Sequence, residues 1–193
     1  MLYRHAEYFQ DNRAFKAIDY RWIKREQISR YALSAVVASE DQRFFNHNGF
    51  DFNEMQNAVD HYLKGGKLRG ASTISQQVAK NLFLTPSKSF WRKGLEFWFT
   101  GLIEMLWHKD RILEVYLNIA EFGDHLFGIQ SASQRYFGIP AKQLNASQAA
   151  MLAATLPNPH IYKADKPTPY LLERKTWIMK QMKNLNYRHK QHQ

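Results

Sequence analysis

Two acids stand where a small apolar run ends. Glu40 and Asp41 follow Ala32 to Ala38 and open the segment Ser39-Glu40-Asp41-Gln42-Arg43-Phe44-Phe45-Asn46-His47-Asn48-Gly49-Phe50-Asp51. A carboxylate at the end of a buried-type helix is partly desolvated, which raises its pKa and makes it a better base near neutral pH. Glu40 is therefore a candidate general base. The plainer alternative is a surface Glu paired with Arg43, since most acidic side chains face solvent.

A second constellation runs from Arg69 to Asn81, as Arg69-Gly70-Ala71-Ser72-Thr73-Ile74-Ser75-Gln76-Gln77-Val78-Ala79-Lys80-Asn81. Glycine ahead of a Ser/Thr helix start leaves backbone N–H groups open to an approaching anion, and the helix dipole adds partial positive charge there. Ser72, Gln76 and Lys80 are four apart and predict one polar stripe opposite Ile74, Val78 and Leu82. Hydroxyl, amide and ammonium suit sugar and phosphate oxygens, although a capped amphipathic helix with an ordinary wet face has the same pattern. A third group is Arg92-Lys93-Gly94-Leu95-Glu96, with two cations in the first turn of a helix. There they oppose the dipole, so a bound diphosphate would account for them. An Arg92–Glu96 surface pair, worth about 0.3–0.5 kcal/mol, would explain Arg92 but not Lys93.

Charge points the same way. The chain carries a net +10, and from His61 to Leu95 there are seven Lys/Arg and no Asp or Glu. An anionic partner follows, whether phosphorylated substrate, membrane surface or nucleic acid. Between the second and third groups, Phe83, Leu84, Phe90 and Trp91 form an apolar, aromatic loop flanked by cations, which suits a membrane interface or, equally, core packing.

These groups must be positioned by helices. Period-2 alternation is rare and apolar residues recur at three and four, so the fold class is mainly α, as one domain over residues 1–193. Asp51 with Glu54 has capping-box spacing ahead of Phe52, Met55, Val59 and Tyr62, and Gly65-Gly66 supplies a stop. A helix after Ser72-Thr73 should end before Pro86. The next, from about Ser89 to Trp107, should turn Leu95, Trp98, Leu102 and Leu106 inward and sit centrally. Further helices fit Arg111 to Asn118, Gln130 to Phe137, a Ser147-capped segment to Thr155, and Pro169 to about Tyr187.

With no cysteine, disulfide scaffolds, Cys-ligated zinc and thiol nucleophiles are excluded. No 18-residue apolar run is present. No helix-turn-helix, RNP-like or zinc-finger pattern supports nucleic-acid binding.

Taken in order, the segments resemble the five motifs of the family 51 glycosyltransferases, the peptidoglycan polymerases. Glu40 to Gly49 is similar to the first, Gly70 to Gln77 to the second and Arg92 to Glu96 to the third. Lys109 to Asn118 resembles the fourth, and Arg135-Tyr136-Phe137-Gly138 with Ala149-Ala150-Met151-Leu152-Ala153 the fifth. The match spans about Ile28 to Met182, and Gln148 departs from the Glu common in the fifth motif. No transpeptidase domain follows, as in the monofunctional members, which carry one N-terminal membrane helix absent here.

The resemblance implies a lysozyme-like helical large lobe with a smaller membrane-contacting jaw lobe. It implies polymerisation of lipid II, the undecaprenyl-diphosphate-linked GlcNAc-MurNAc-pentapeptide, into β-1,4 glycan with inversion. Glu40 would be the base and Glu96 a second essential acid that orients the donor or helps hold a divalent cation such as Mg²⁺. No organic cofactor is implied. Asp41, Phe44, His47, Arg69, Gly70, Ser72, Thr73, Gln76, Gln77, Lys80, Asn81, Arg92 and Lys93 would bind substrate. Partners implied are lipid II, the growing glycan, the membrane, moenomycin-type phosphoglycolipid inhibitors and other cell-wall or division proteins, at the outer face of the bacterial cytoplasmic membrane. The rival reading is a lysozyme-like hydrolase or lytic enzyme. A glycosidase must protonate a poor sugar leaving group and needs a carboxylic acid beside it, whereas a diphosphate needs cations.

Overall fold

The apolar run before Glu40 forms helix α1, Arg30–Glu40, in a computed structural model that describes residues 17–66, 72–85 and 90–191. Its cap, Ser29, accepts from the Tyr31 N–H at 3.2 Å and donates its hydroxyl to the Leu144 carbonyl at 2.7 Å, tying the helix start to a distant loop. Ala32, Leu33, Ala35, Val36, Val37 and Ala38 are all buried, and the small side chains let two later helices lie close against α1.

The remaining helices are α2, Phe52–Leu63; α3, Ile74–Phe83; α4, Phe90–Leu106; α5, Lys109–Ile119; α6, Ile129–Phe137; α7, Ala146–Thr155; and α8, Pro169–Gln191. The expected helical class holds, with α1 packed on α7 and α8, and α3 on α4 and α5. Three short strands add a small sheet that period-2 reading does not disclose. β1 (Asp19–Tyr20) pairs parallel with β3 (Leu126–Phe127), and β3 pairs antiparallel with β2 (Glu121–Gly123). One apolar core runs through α1, α3 and α5 to α8, with Phe44, Ile74, Tyr116, Phe122 and Leu152 among its largest fully buried side chains.

Helix ends follow their sequence signals with one shift. Asp51 caps α2 through the Glu54 N–H at 3.0 Å, and Gly138 closes α6 in the left-handed region. The α7 cap, however, is Asn145 rather than Ser147. Asn145 accepts from the Gln148 N–H, and its own N–H donates to Gln148 Oε1 at 3.1 Å, a capping box in which Gln serves as well as Glu.

Burial of α2 and α4 is the larger correction. Both helices form where expected, yet Leu95, Trp98 and Leu106 are exposed, and α4 instead turns Glu96, Thr100 and Ile103 inward. On α2, Phe52, Met55, Val59, Tyr62 and Leu63 are exposed and only Ala58 is buried. A helix apolar on several sides has no unique inward face, and for α4 the contact with α3 decides which stripe is covered. Among the described residues no helix is long and apolar enough to cross a membrane.

Candidate active site

Glu40 ends α1 with a side chain only 15% exposed. Its neighbours come from three helices. Gln77 of α3 donates Nε2 to Oε2 at 3.1 Å, Ser39 donates to Oε1 at 3.4 Å, and Arg174 of α8 sets Nη2 3.6 Å from Oε1. Burial pushes the Glu40 carboxyl above its ordinary range, opposed by the Gln77 hydrogen bond and the Arg174 charge. Gln77 is itself held by Tyr116 of α5, whose hydroxyl donates to Oε1 at 3.2 Å. The surface pair with Arg43 does not form, because Arg43 lies 3.4 Å from Asp51.

Asp41 turns the other way. His47 Nε2 lies 2.9 and 3.1 Å from its two oxygens, and the Ile74 N–H at the start of α3 donates to Oδ2 at 3.0 Å. An anion at a helix N-terminus is favoured by the dipole, so Asp41 locks the loop after α1 to the helix that carries Gln77. Gly49 completes the joint. Its carbonyl accepts from Thr73 Oγ1 at 2.6 Å, its φ is +86°, and a Cβ there would meet Thr100 Cγ2 at 2.8 Å. Only glycine satisfies that backbone and that approach.

Several of the expected substrate-binding residues have protein partners. Phe44 is fully buried beneath the Lys109 ammonium, 4.4 Å from its ring centre. Asp41, His47 and Thr73 are buried against protein partners. Gln76 is buried too, its Oε1 accepting the Thr73 N–H at 2.9 Å in a capping box. Of the predicted Ser72, Gln76, Lys80 stripe only Gln76 turns inward, and Gln77 is the amide that reaches Glu40. The signal was present, since Thr73-Ile74-Ser75-Gln76 has the spacing that pulls Gln76 back onto its own cap. Ser72, Lys80 and Asn81 are exposed, whereas Arg69 and Gly70 lie outside the described residues.

Glu96 is buried and holds both cations, with Lys93 Nζ hydrogen-bonded to Oε1 and Arg92 Nη1 3.6 Å from Oε2. The expected Arg92–Glu96 pair forms, with the carboxylate end buried and Lys93 60% exposed in its side chain, and the same carboxylate pairs with Lys93. Two positive charges thus surround one carboxylate on the face of α4 that packs against α3, the helix carrying Lys80. Among the described residues, no group of three or more metal-ligating side chains includes Glu96; the one such group is Glu121, Asp124 and His160, elsewhere in the fold. With its oxygens committed to Arg92 and Lys93, Glu96 does not fit a protein-built site for Mg²⁺, which wants several oxygen ligands. Phe83 stacks on Phe99 at 4.6 Å, Trp91 is 84% exposed, Leu84 is half-buried, and the Phe90 side chain lies outside the described residues.

Sequence reasoning passed over three participants. Tyr116 lies in an otherwise apolar stretch, where a buried hydroxyl asks for a partner. Glu104 accepts from Ser75 Oγ and, at 2.7 Å, from Lys109 Nζ, fastening α4 to α3 and α5. Arg174, on a long charged helix, gave no local signal at all.

A partly desolvated base held by fixed dipoles, beside a helix presenting cations, is an arrangement for deprotonating a hydroxyl while an anionic group departs. The transglycosylase family profile matches residues 9–183. A biosynthetic peptidoglycan transglycosylase of Chromohalobacter salexigens is 55% identical over 88% of this chain and 72% of its own length. The protein of that name in Pasteurella multocida is 50% identical over 98% and 77%, and that of Xylella fastidiosa strain M12 is 51% identical over 96% and 76%. On a family match spanning nearly every described residue, and on relatives at half identity or more, the chain belongs to the transglycosylase family.

Proposed function

We propose that this enzyme polymerises lipid II into β-1,4 glycan, with Glu40 as general base. One observation supports the reading: the Glu40 side chain keeps 15% exposure at the end of α1, while the neighbouring Asp41 is turned into the protein by His47 and the Ile74 N–H. The acceptor 4-hydroxyl gives its proton to Glu40 as its oxygen attacks the donor anomeric carbon. The carbon–oxygen bond to the diphosphate breaks, undecaprenyl diphosphate departs, and the proton on Glu40 returns to water.

Arg92 and Lys93, held by Glu96, with Lys80 on the adjoining helix, would stabilise charge on the leaving diphosphate. An inverting hydrolase would need a second carboxylate poised at the scissile bond, and Asp41 is committed elsewhere. The exposed apolar faces of α2 and α4 favour a seat in the outer leaflet of the cytoplasmic membrane, with Phe83, Leu84, Phe90 and Trp91 at the interface. Moenomycin-type phosphoglycolipids would compete at the cationic site, and other cell-wall synthesis or division proteins are partners to be sought by pull-down. Incubation with purified lipid II should release one undecaprenyl diphosphate per disaccharide added. Consumption of lipid II without that release would overturn the proposal.

A further inference from the structure

A base that is buried faces a difficulty of its own, because the environment that raises its basicity also favours its protonated, inactive form. The groups facing the Glu40 carboxylate show how the fold meets it. Asp41, next in the chain, has like charge; Ser39 donates from the same helix; Gln77 of α3 donates from the side; Tyr116 of α5 stands behind Gln77; and Arg174 of α8 is the cation. Helix α7, which also packs on α1, carries no charged residue. The Tyr116 phenol is pushed well above its ordinary value, first by burial and then by Glu40 and Asp41, so it remains a neutral donor.

Resting on the reading of Glu40 as the base, we infer that Arg174 is a positioning residue for the transfer: its guanidinium keeps the Glu40 carboxylate ionised and aligned, while Gln77, braced by Tyr116, fixes the other oxygen. The geometry fits this role better than that of a structural ion pair. At 3.6 Å from Oε1 the contact is looser than a bidentate Arg–carboxylate fork, so it biases the carboxylate toward its charged form without occupying the lone pairs that must take the proton. The Arg174 Nε is buried with no hydrogen-bond partner, and Glu40 is the acid with which the side chain pairs among the described residues. Once Glu40 has taken the acceptor proton, the same positive charge favours its release, readying the base for the next addition.

The test is the pH dependence of lipid II polymerisation by the whole chain and by Arg174→Gln, Arg174→Lys and Glu40→Gln. Removing the cation raises the Glu40 pKa, so the acid limb should move to higher pH. The Arg174→Gln rate should fall about three- to tenfold more on that limb than on the plateau, less than a fully buried pair would give because Arg174 is partly exposed. Arg174→Lys should restore the limb. A uniform loss across pH, an unmoved limb, or a Lys variant shifted as far as the Gln variant would overturn the inference. If Arg174→Gln does not fold, the wild-type limb still decides: added salt should screen the attraction and move it upward, and a limb indifferent to salt contradicts the role. A Glu40→Gln enzyme with near-normal turnover would instead remove the base itself, whereas an inactive one with an unmoved Arg174→Gln limb removes only the role of Arg174.

Discussion

The Glu40 region and the α2/α4 face invert the usual rule of burial in opposite senses. In the first region and on the adjoining helix, Asp41, Ser75, Gln76 and Glu96 are buried with fixed partners: Asp41 on His47 and the Ile74 N–H, Ser75 on Glu104, Gln76 on its own cap, and Glu96 on Arg92 and Lys93. On α2 and α4, Phe52 is 66% exposed and Trp98 64%, with Leu63, Met105 and Leu106 also exposed. Polar burial is tolerable only where partners are fixed, and it provides a dry setting in which dipoles and charges act strongly. Apolar exposure on this scale marks a surface meant for another solvent or partner. On the proposed function the first region would carry chemistry and the second location, and α4 would belong to both, through Glu96 on one side and Trp98 on the other.

The sharpest way to break the comparison is to show that both regions matter in the same assay. Glu40→Gln should lower polymerisation by about 10²–10⁴. It should also make the fold more stable above the acid range. The Glu40 pKa is raised in the folded state, so between the unfolded and folded values the folded protein holds more protons and its stability falls as pH rises. The Gln variant lacks that loss, and its melting temperature should exceed wild type at pH 8 but not at pH 4. Equal melting curves at pH 8 would mean the carboxylate is not desolvated.

Lys80→Ala and Arg92→Ala should each reduce turnover roughly ten- to hundredfold, with loss of phosphoglycolipid binding, because they act on charge that develops as diphosphate leaves. Glu96→Gln should also be impaired by releasing both cations from their fixed position. Full activity in the Arg92 and Glu96 variants would assign α4 to location alone, and in the Lys80 variant would remove α3 from the diphosphate site. On the apolar side, Trp98→Ser should weaken binding to anionic vesicles about tenfold, while stability in detergent stays within about 0.5 kcal/mol. A folding defect would show that Trp98 belongs to a core. Within the Glu40 region, Asp41→Asn should cost about 1.5–3 kcal/mol of stability, read by urea unfolding, through its bonds to His47 and Ile74.

Helix existence was legible because caps and breakers are local. Asp51, Thr73 and Gly138 announce their helix ends within four residues of sequence. What each helix does with its faces was not legible, since that depends on neighbours. The α4 pattern allowed Leu95 and Trp98 inward, and only contact with α3 selects Glu96 and Thr100. The candidate base was readable from an acid ending an apolar helix, and the cations from their position at a helix start. Its surroundings were not: Arg174 reaches Glu40, and Tyr116 reaches Gln77, from far along the chain, and nothing in the segment around Arg174 marks it. Gln77 closes the second motif, but its reach to Glu40 depends on a helix phase that the capping box sets.

The central claim is that this site transfers a disaccharide rather than cutting the polymer. Side-by-side incubation with purified lipid II and with preformed uncrosslinked glycan, each resolved on gels, tests it most directly. The account predicts a ladder of glycan from lipid II that is absent with Glu40→Gln, and intact chains from the preformed polymer. Shortening of the preformed glycan without any ladder from lipid II would contradict it.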